Sequence, residues 1–140
     1  MGVAYYIALE SKIEGLDTFM NGKALVHADF EEEADPTITK IANDLGVKNL
    51  ADFMSESPES LLADLDPDGP RPIWADDLPP EEWFEPQLGL TTVNALLAHL
   101  RVNPNLVPNQ DAVINDLHEM VRILSAADKN GVRWHLAVDV

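Results

Sequence analysis

Cysteine is absent from the chain of 140 residues, which excludes disulfides, thiolate metal sites and cysteine nucleophiles. Basic residues are scarce: nine lysines and arginines stand against 25 aspartates and glutamates, for a formal net charge of −16. A field of that sign repels nucleic-acid phosphates and anionic membranes, so we expect neither as a partner. The charge fits simple solubility, or attraction to a basic protein or a cation.

Long apolar runs are missing as well. No run approaches the length of a membrane span, and no basic stretch followed by an apolar core opens the chain. Gly2 does not make a myristoylation motif, because Tyr6 stands where Ser or Thr is needed. These features predict a soluble, cytoplasmic protein. With 46% hydrophobic residues, the chain is expected to form a single domain over residues 1–140.

Familiar catalytic motifs do not occur either. The sequence contains no His-Glu-x-x-His, Gly-x-Ser-x-Gly, phosphate loop or Gly-x-Gly-x-x-Gly pattern. No cofactor is therefore predicted, and an enzyme is disfavoured. Asp64, Asp66 and Asp68 resemble the opening of an EF-hand calcium loop, but Ala75 stands where the bidentate glutamate belongs. No metal site is assigned, and cation binding by the three aspartates stays open.

The clearest pattern present is a pair of amphipathic helices in the last third of the chain. Apolar side chains recur at helical spacing, as Val93, Leu96, Leu97 and Leu100, and then as Val113, Leu117, Met120, Val121 and Leu124. Asn103-Pro104 ends the first helix, and Asn109 is the predicted side-chain cap of the second. The short connection predicts an antiparallel helical hairpin.

Period-two alternation marks both ends of the chain. The apolar positions are Val3, Tyr5, Ile7 and Leu9 near the start, and Val132, Trp134, Leu136, Val138 and Val140 after Gly131. Each segment therefore predicts a strand with one apolar face, and the two should pair, in a direction that the sequence does not fix. The predicted fold class is α+β: a small sheet including the N- and C-terminal strands, packed by the helical hairpin and shorter helices.

The middle of the chain carries weaker signals. Asn21-Gly22 favours a two-residue β-hairpin, with a helix from Lys23 as the alternative. Asp35-Pro36 predicts the start of a helix that ends at Gly46. Short helical segments are expected at 50–54 and 58–65. Six prolines then predict an ordered, acidic, proline-rich loop over residues 66–86.

The most acidic stretch of the chain also contains large aromatic residues. Residues 52–85 contain eleven acids and one base, Arg71, and enclose Trp74, Trp83 and Phe84. Aromatic anchors among acids are typical of a surface that binds a basic protein. The preferred function is thus a non-catalytic acidic interaction protein, similar to an immunity protein or antitoxin. The alternative is that the rings are buried and the acids only solvate the loop.

A second candidate site lies on the polar face of the predicted strand pair. Tyr6, Arg133, His135 and Asp139 would share that face with small alanines. A cation, an imidazole, a phenol and a carboxylate on a face lined with small residues could bind an anion or move a proton. The alternative function is therefore a small-ligand-binding or enzymatic module. Without a ligand, His135 is expected to be a surface residue on a half-exposed strand.

A resemblance to known proteins is carried by four segments. These are Tyr5-Tyr6-Ile7, Gly22-Lys23-Ala24-Leu25, Trp83-Phe84 leading to Gly89-Leu90, and the stretch from Gly131 to Leu136. They resemble a family of small bacterial proteins of unassigned function, over most of the chain. The shared motifs are structural in character, so the resemblance implies no activity, cofactor or catalytic residue. Oligomeric state is not determined by any of these patterns.

Overall fold

The computed structural model describes residues 4–30, 37–55 and 81–139, which form a small α+β fold. The strands are β1 (Ala4–Leu9) and β2 (Trp134–Asp139), and the α-helices are α1 (Lys23–Phe30), α2 (Ile38–Leu45), α3 (Pro86–Val102) and α4 (Gln110–Lys129), with one 3₁₀ turn at Leu50–Phe53. The predicted fold class is confirmed. The predicted helix at 58–65, the three aspartates, Trp74 and most of the proline-rich loop lie outside the described residues.

The two ends of the chain meet in the sheet, as predicted, and they pair antiparallel. Ala4 lies opposite Asp139 and Leu9 opposite Trp134. One face carries Tyr5, Ile7, Trp134 and Leu136, all of which are buried. These side chains are buried because α1, α4 and the 3₁₀ turn pack against the strands and Gly89 of α3 lies close to the Trp134 indole. Burying each large apolar residue contributes about 1.5–3 kcal/mol.

β2 is hydrogen-bonded along both of its edges. Opposite β1, the N–H of Phe84 donates to the Trp134 carbonyl over 2.7 Å, and the Trp134 N–H donates back over 3.0 Å. The Ser55 N–H donates to the Leu136 carbonyl over 3.2 Å. Residues 54–55 and 84 therefore lie beside β2 as short third partners.

The helical hairpin is confirmed, but the start of α4 differs from the prediction. Asn109 occupies the N-cap position in a left-handed conformation, with φ of 54°, and its side chain makes no cap hydrogen bond. The side-chain cap predicted there is wrong. A backbone in this conformation turns the asparagine away from the first helical N–H groups, and left-handed geometry is what asparagine tolerates best among non-glycine residues.

Gln110 organises the connection between α3 and α4 instead. Its Oε1 accepts hydrogen bonds from the N–H groups of Leu106 and Val107 over 2.6 and 3.2 Å. Its Nε2 donates to the carbonyls of Leu100 and Asn103 over 2.8 and 3.0 Å. One buried side-chain amide thus provides hydrogen-bond partners for four backbone groups at the helix ends and in the loop.

Two predictions for the middle of the chain are wrong. Residues 21–22 do not form a β-hairpin, because helix α1 starts at Lys23, which was the alternative. The N-cap of α2 is Thr37, whose hydroxyl accepts from the Lys40 N–H over 3.1 Å, rather than Asp35, which lies outside the described residues. The predicted stop at Gly46 is confirmed by its left-handed conformation.

Candidate functional site

The strand register places the predicted ligand-binding residues along one face of the sheet. Tyr6 lies opposite Ala137, His135 opposite Ala8 and Asp139 opposite Ala4. Arg133 extends the same ladder by one residue, since its carbonyl accepts from the Glu10 N–H over 2.9 Å. The geometry of this face therefore follows from the alternation in the sequence.

His135 is not on a half-exposed surface, and that expectation is wrong. Its exposed fraction is 3%, because residues 81–84 cross the polar face beside it. Nε2 lies 2.7 Å from a carboxylate oxygen of Glu81, and Nδ1 lies 3.0 Å from the Leu136 carbonyl. Trp83 packs on the imidazole with 4.7 Å between ring centroids. Both ring nitrogens thus lie within hydrogen-bond distance of oxygen atoms of the chain.

Arg133 is also held by a carboxylate of the chain. Its Nε donates to Glu10 over 3.0 Å, and a second guanidinium nitrogen pairs with the other Glu10 oxygen. The hydrogen bonds to Glu10, together with its negative charge, raise the pKa of Arg133 further above its ordinary value. Arg133 and His135 of the predicted ligand site are consequently both paired with carboxylates of the chain.

The predicted partner-binding aromatics that the structure describes make internal contacts. Trp83 is half-buried against His135, and Phe84 packs edge-on against Phe53 with centroids 5.3 Å apart. The ammonium of Lys48 lies 5.5 Å from both phenyl rings, within the range of a cation–π contact. These rings hold residues 81–84 on the core, and their role towards a partner remains a prediction.

An exposed aromatic surface, which the sequence did not reveal, lies beside β1. We define the aromatic surface as residues 17–21 together with Tyr6. Phe19 is 75% exposed and Tyr6 43%, whereas the other described aromatic side chains are buried or half-buried. The two rings line one open hollow of about 670 Å³, shared with Tyr5, Met20 and Lys23 among others. No periodicity marks Phe19, because it stands in a loop.

Arg122 of α4 fixes the backbone of this loop. Its guanidinium donates to the carbonyl of Asp17 over 2.6 Å and to that of Phe19 over 3.2 Å. The same guanidinium donates to Glu119 over 2.8 Å and 2.6 Å. The Phe19 N–H donates to the Asp17 carboxylate over 2.9 Å. The phenyl ring is therefore presented to solvent from a loop that is tied to a helix.

Asp116, in helix α4, holds the start of α1 in place through hydrogen bonds to its backbone. Its carboxylate accepts from the Leu25 N–H over 3.1 Å, and also interacts with the backbone N–H groups of Gly22 and Ala24. It thereby accepts from N–H groups at the start of a helix whose preceding residue, Gly22, has no side chain to cap them. Burial raises the pKa of Asp116 above its ordinary value of 3.8, and the three backbone donors lower it by less.

This raised pKa predicts how the Asp116→Asn variant compares with the wild type. The folded state binds the Asp116 proton more tightly than the unfolded chain, so the group's contribution to stability falls as pH rises from 3.8 through the raised pKa. The asparagine variant lacks that dependence. In urea denaturation at several pH values, the stability of the wild type relative to the variant should therefore shrink as the pH rises above the ordinary pKa of 3.8. A difference that grows with pH would contradict the assignment.

Comparisons with known proteins supply no function for the chain. No protein-family model, curated protein or solved structure matches it. Among the described residues, no helix is both long and apolar enough to cross a membrane. The same residues contain no group of three or more histidine, aspartate or glutamate side chains arranged to hold a metal ion.

Proposed function

We propose that the protein is a non-catalytic binding module for a basic protein partner. The observation that carries the proposal is the net charge of −16 on 140 residues. Among the described residues, the exposed acids lie in loops, at helix ends and after β1; they include Glu10, Glu14, Asp17, Asp44, Asp52, Glu82, Glu85, Asp111 and Asp128. Such a distribution produces a long-range field that speeds encounter with a cationic partner.

The local geometry supports binding more than catalysis. His135 is buried and paired with Glu81, and Arg133 is paired with Glu10. An anion that bound Arg133 would have to displace Glu10 from it, at the cost of leaving that carboxylate without its partner. The pairing of Arg133 with Glu10 and of His135 with Glu81 therefore disfavours the ligand-binding alternative. The finer form of the proposal is an immunity-like or antitoxin-like protein that neutralises a basic target.

Ionic strength provides the test. The immobilised full chain is exposed to a lysate at about 50 mM salt and eluted at about 500 mM, a change that shortens the Debye length from roughly 14 to 4 Å. The eluted protein is identified by mass spectrometry, purified, and titrated calorimetrically against the chain. We expect a basic protein whose Kd weakens by about tenfold or more across that range. A partner with net negative charge, or an affinity that does not change with salt, would contradict the proposal.

A further inference from the structure

We propose that the aromatic surface is the docking site for an extended segment of the basic partner, in which an apolar residue is flanked by lysine or arginine. The inference rests on the proposed function and adds the place where binding occurs. The apolar side chain would enter the hollow between Phe19 and Tyr6, while the flanking cations meet the negative field of the chain. The sequence-based candidates Trp83 and Phe84 are only half-buried, and their rings pack on His135 and Phe53.

Exposure and shape together single out this surface. The two exposed aromatic side chains of the described residues line the same hollow, and the adjoining Tyr5 and Met20 are buried. A single exposed phenylalanine is common on a protein surface, but two rings at the edge of a concave region form a pocket that an inserted side chain can fill. Aromatic residues of this kind carry a large share of interface affinity.

The loop is organised before any partner arrives. Arg122 holds the carbonyls on both sides of Thr18, and Asp17 accepts from the Phe19 N–H. Binding to a fixed loop avoids much of the entropy cost of ordering it, which otherwise weakens affinity. A loop with only a structural role would gain nothing from presenting its largest apolar side chain to water.

A second hollow explains why the occupant is an extended segment. It measures about 370 Å³, lies between the loop and α4, and is lined by Asn115, Glu119 and Arg122. Both hollows share residues 17 and 19–21, so Phe19 stands between them. An extended segment that crosses the ring can place side chains on either side of it, whereas a single compact side chain would use one hollow.

Charge selects the partner among possible occupants. The two hollows are balanced locally, with Asp17 and Glu119 against Lys23 and Arg122. The field that an approaching molecule meets is therefore set by the whole chain, at −16. A second copy of this chain carries the same charge and is repelled, while a cationic segment is attracted. Lysine and arginine also contact aromatic faces favourably.

The test uses a displayed library of random peptides of about twelve residues, which reach roughly 40 Å when extended. The library is selected on the full chain at low salt, and the enriched peptides are synthesised. Their affinities are measured by fluorescence anisotropy for the wild type, Phe19→Ser and Val102→Ser. Val102 is the matched control, because it is also 75% exposed and lies at the far end of α3.

We expect basic peptides with an apolar residue, bound at least about tenfold more weakly by Phe19→Ser and equally well by Val102→Ser. Thermal melts of both variants should match the wild type, since neither side chain is buried. If no peptide is enriched, or if both variants lose affinity for the peptides equally, the aromatic surface is not the docking site. Acidic or neutral peptides that depend on Phe19 overturn the basic occupant. A partner that dissociates with salt but binds Phe19→Ser normally leaves the proposed function intact and removes this surface.

Discussion

Replacement of Gly22 by alanine should lower the free energy of unfolding by at least about 3 kcal/mol, a large part of the 5–15 kcal/mol typical of a domain. Two costs combine. The backbone at Gly22 has φ of +69°, where alanine is strained by about 1–2 kcal/mol. A Cβ there would also lie 2.0 Å from the Tyr5 carbonyl oxygen and 2.8 Å from the Tyr5 nitrogen. These are backbone atoms, so β1 or the start of α1 would have to move.

That movement would disturb the core as well as the turn. The Tyr5 N–H donates to the Gly22 carbonyl over 3.2 Å, and the Tyr5 side chain is fully buried. Urea denaturation followed by circular dichroism measures the loss. Gly15→Ala is the control, because Gly15 has φ of +80° but no atom lies within 4 Å of the position that its Cβ would take. If the two substitutions lowered the free energy of unfolding equally, the close approach of the new Cβ to Tyr5 would contribute nothing to the loss.

The same glycine shows why the hairpin prediction failed. An Asn-Gly pair signals only that a positive φ is easily reached, and a β-turn is one of several uses of that conformation. Here the conformation lets the chain pass against Tyr5 and then enter α1. The contact joins segments that are distant in sequence, so no local pattern contains it.

Apolar periodicity, by contrast, predicted β1, β2, α3 and α4 correctly. The period of the buried positions is set by the geometry of the element itself, whichever neighbour covers it. The pairing of the terminal strands followed because each had one apolar face to bury. Their antiparallel direction could not be predicted, since alternation is the same read from either end.

Polar residues inside the fold were the part that sequence reasoning missed. Asp116, Gln110 and His135 are buried because each has a hydrogen-bond partner brought by another segment or by the local loop. Charge and polarity alone favoured the surface for all three. The Glu10–Arg133 ion pair also needed the third dimension: only the observed antiparallel register, continued by one residue, places Glu10 opposite Arg133.

Among truncations of core residues, Trp134→Ala should lower the free energy of unfolding most, by about 3–5 kcal/mol. Its side chain is fully buried, packs 4.9 Å from the Phe53 ring, and donates from Nε1 to the Glu85 carbonyl over 3.3 Å. The indole therefore lies along the first turns of α3. Room for it comes from Gly89, where a Cβ would approach Cζ2 of the indole to 2.3 Å.

A double-mutant cycle tests this fit between Trp134 and Gly89. Alanine normally stabilises a helix interior by about 1 kcal/mol relative to glycine, but Gly89→Ala should destabilise the wild type by about 1–3 kcal/mol through overpacking. A Trp134→Phe background lacks the second ring of the indole, and only the flexible end of Leu124, with Cδ1 at 3.0 Å, still faces the new Cβ, so the same substitution should cost little or be stabilising. Chemical denaturation of the four proteins gives the coupling energy, expected at about 2 kcal/mol. Equal effects of Gly89→Ala in both backgrounds would show that the missing Cβ does not make room for the indole.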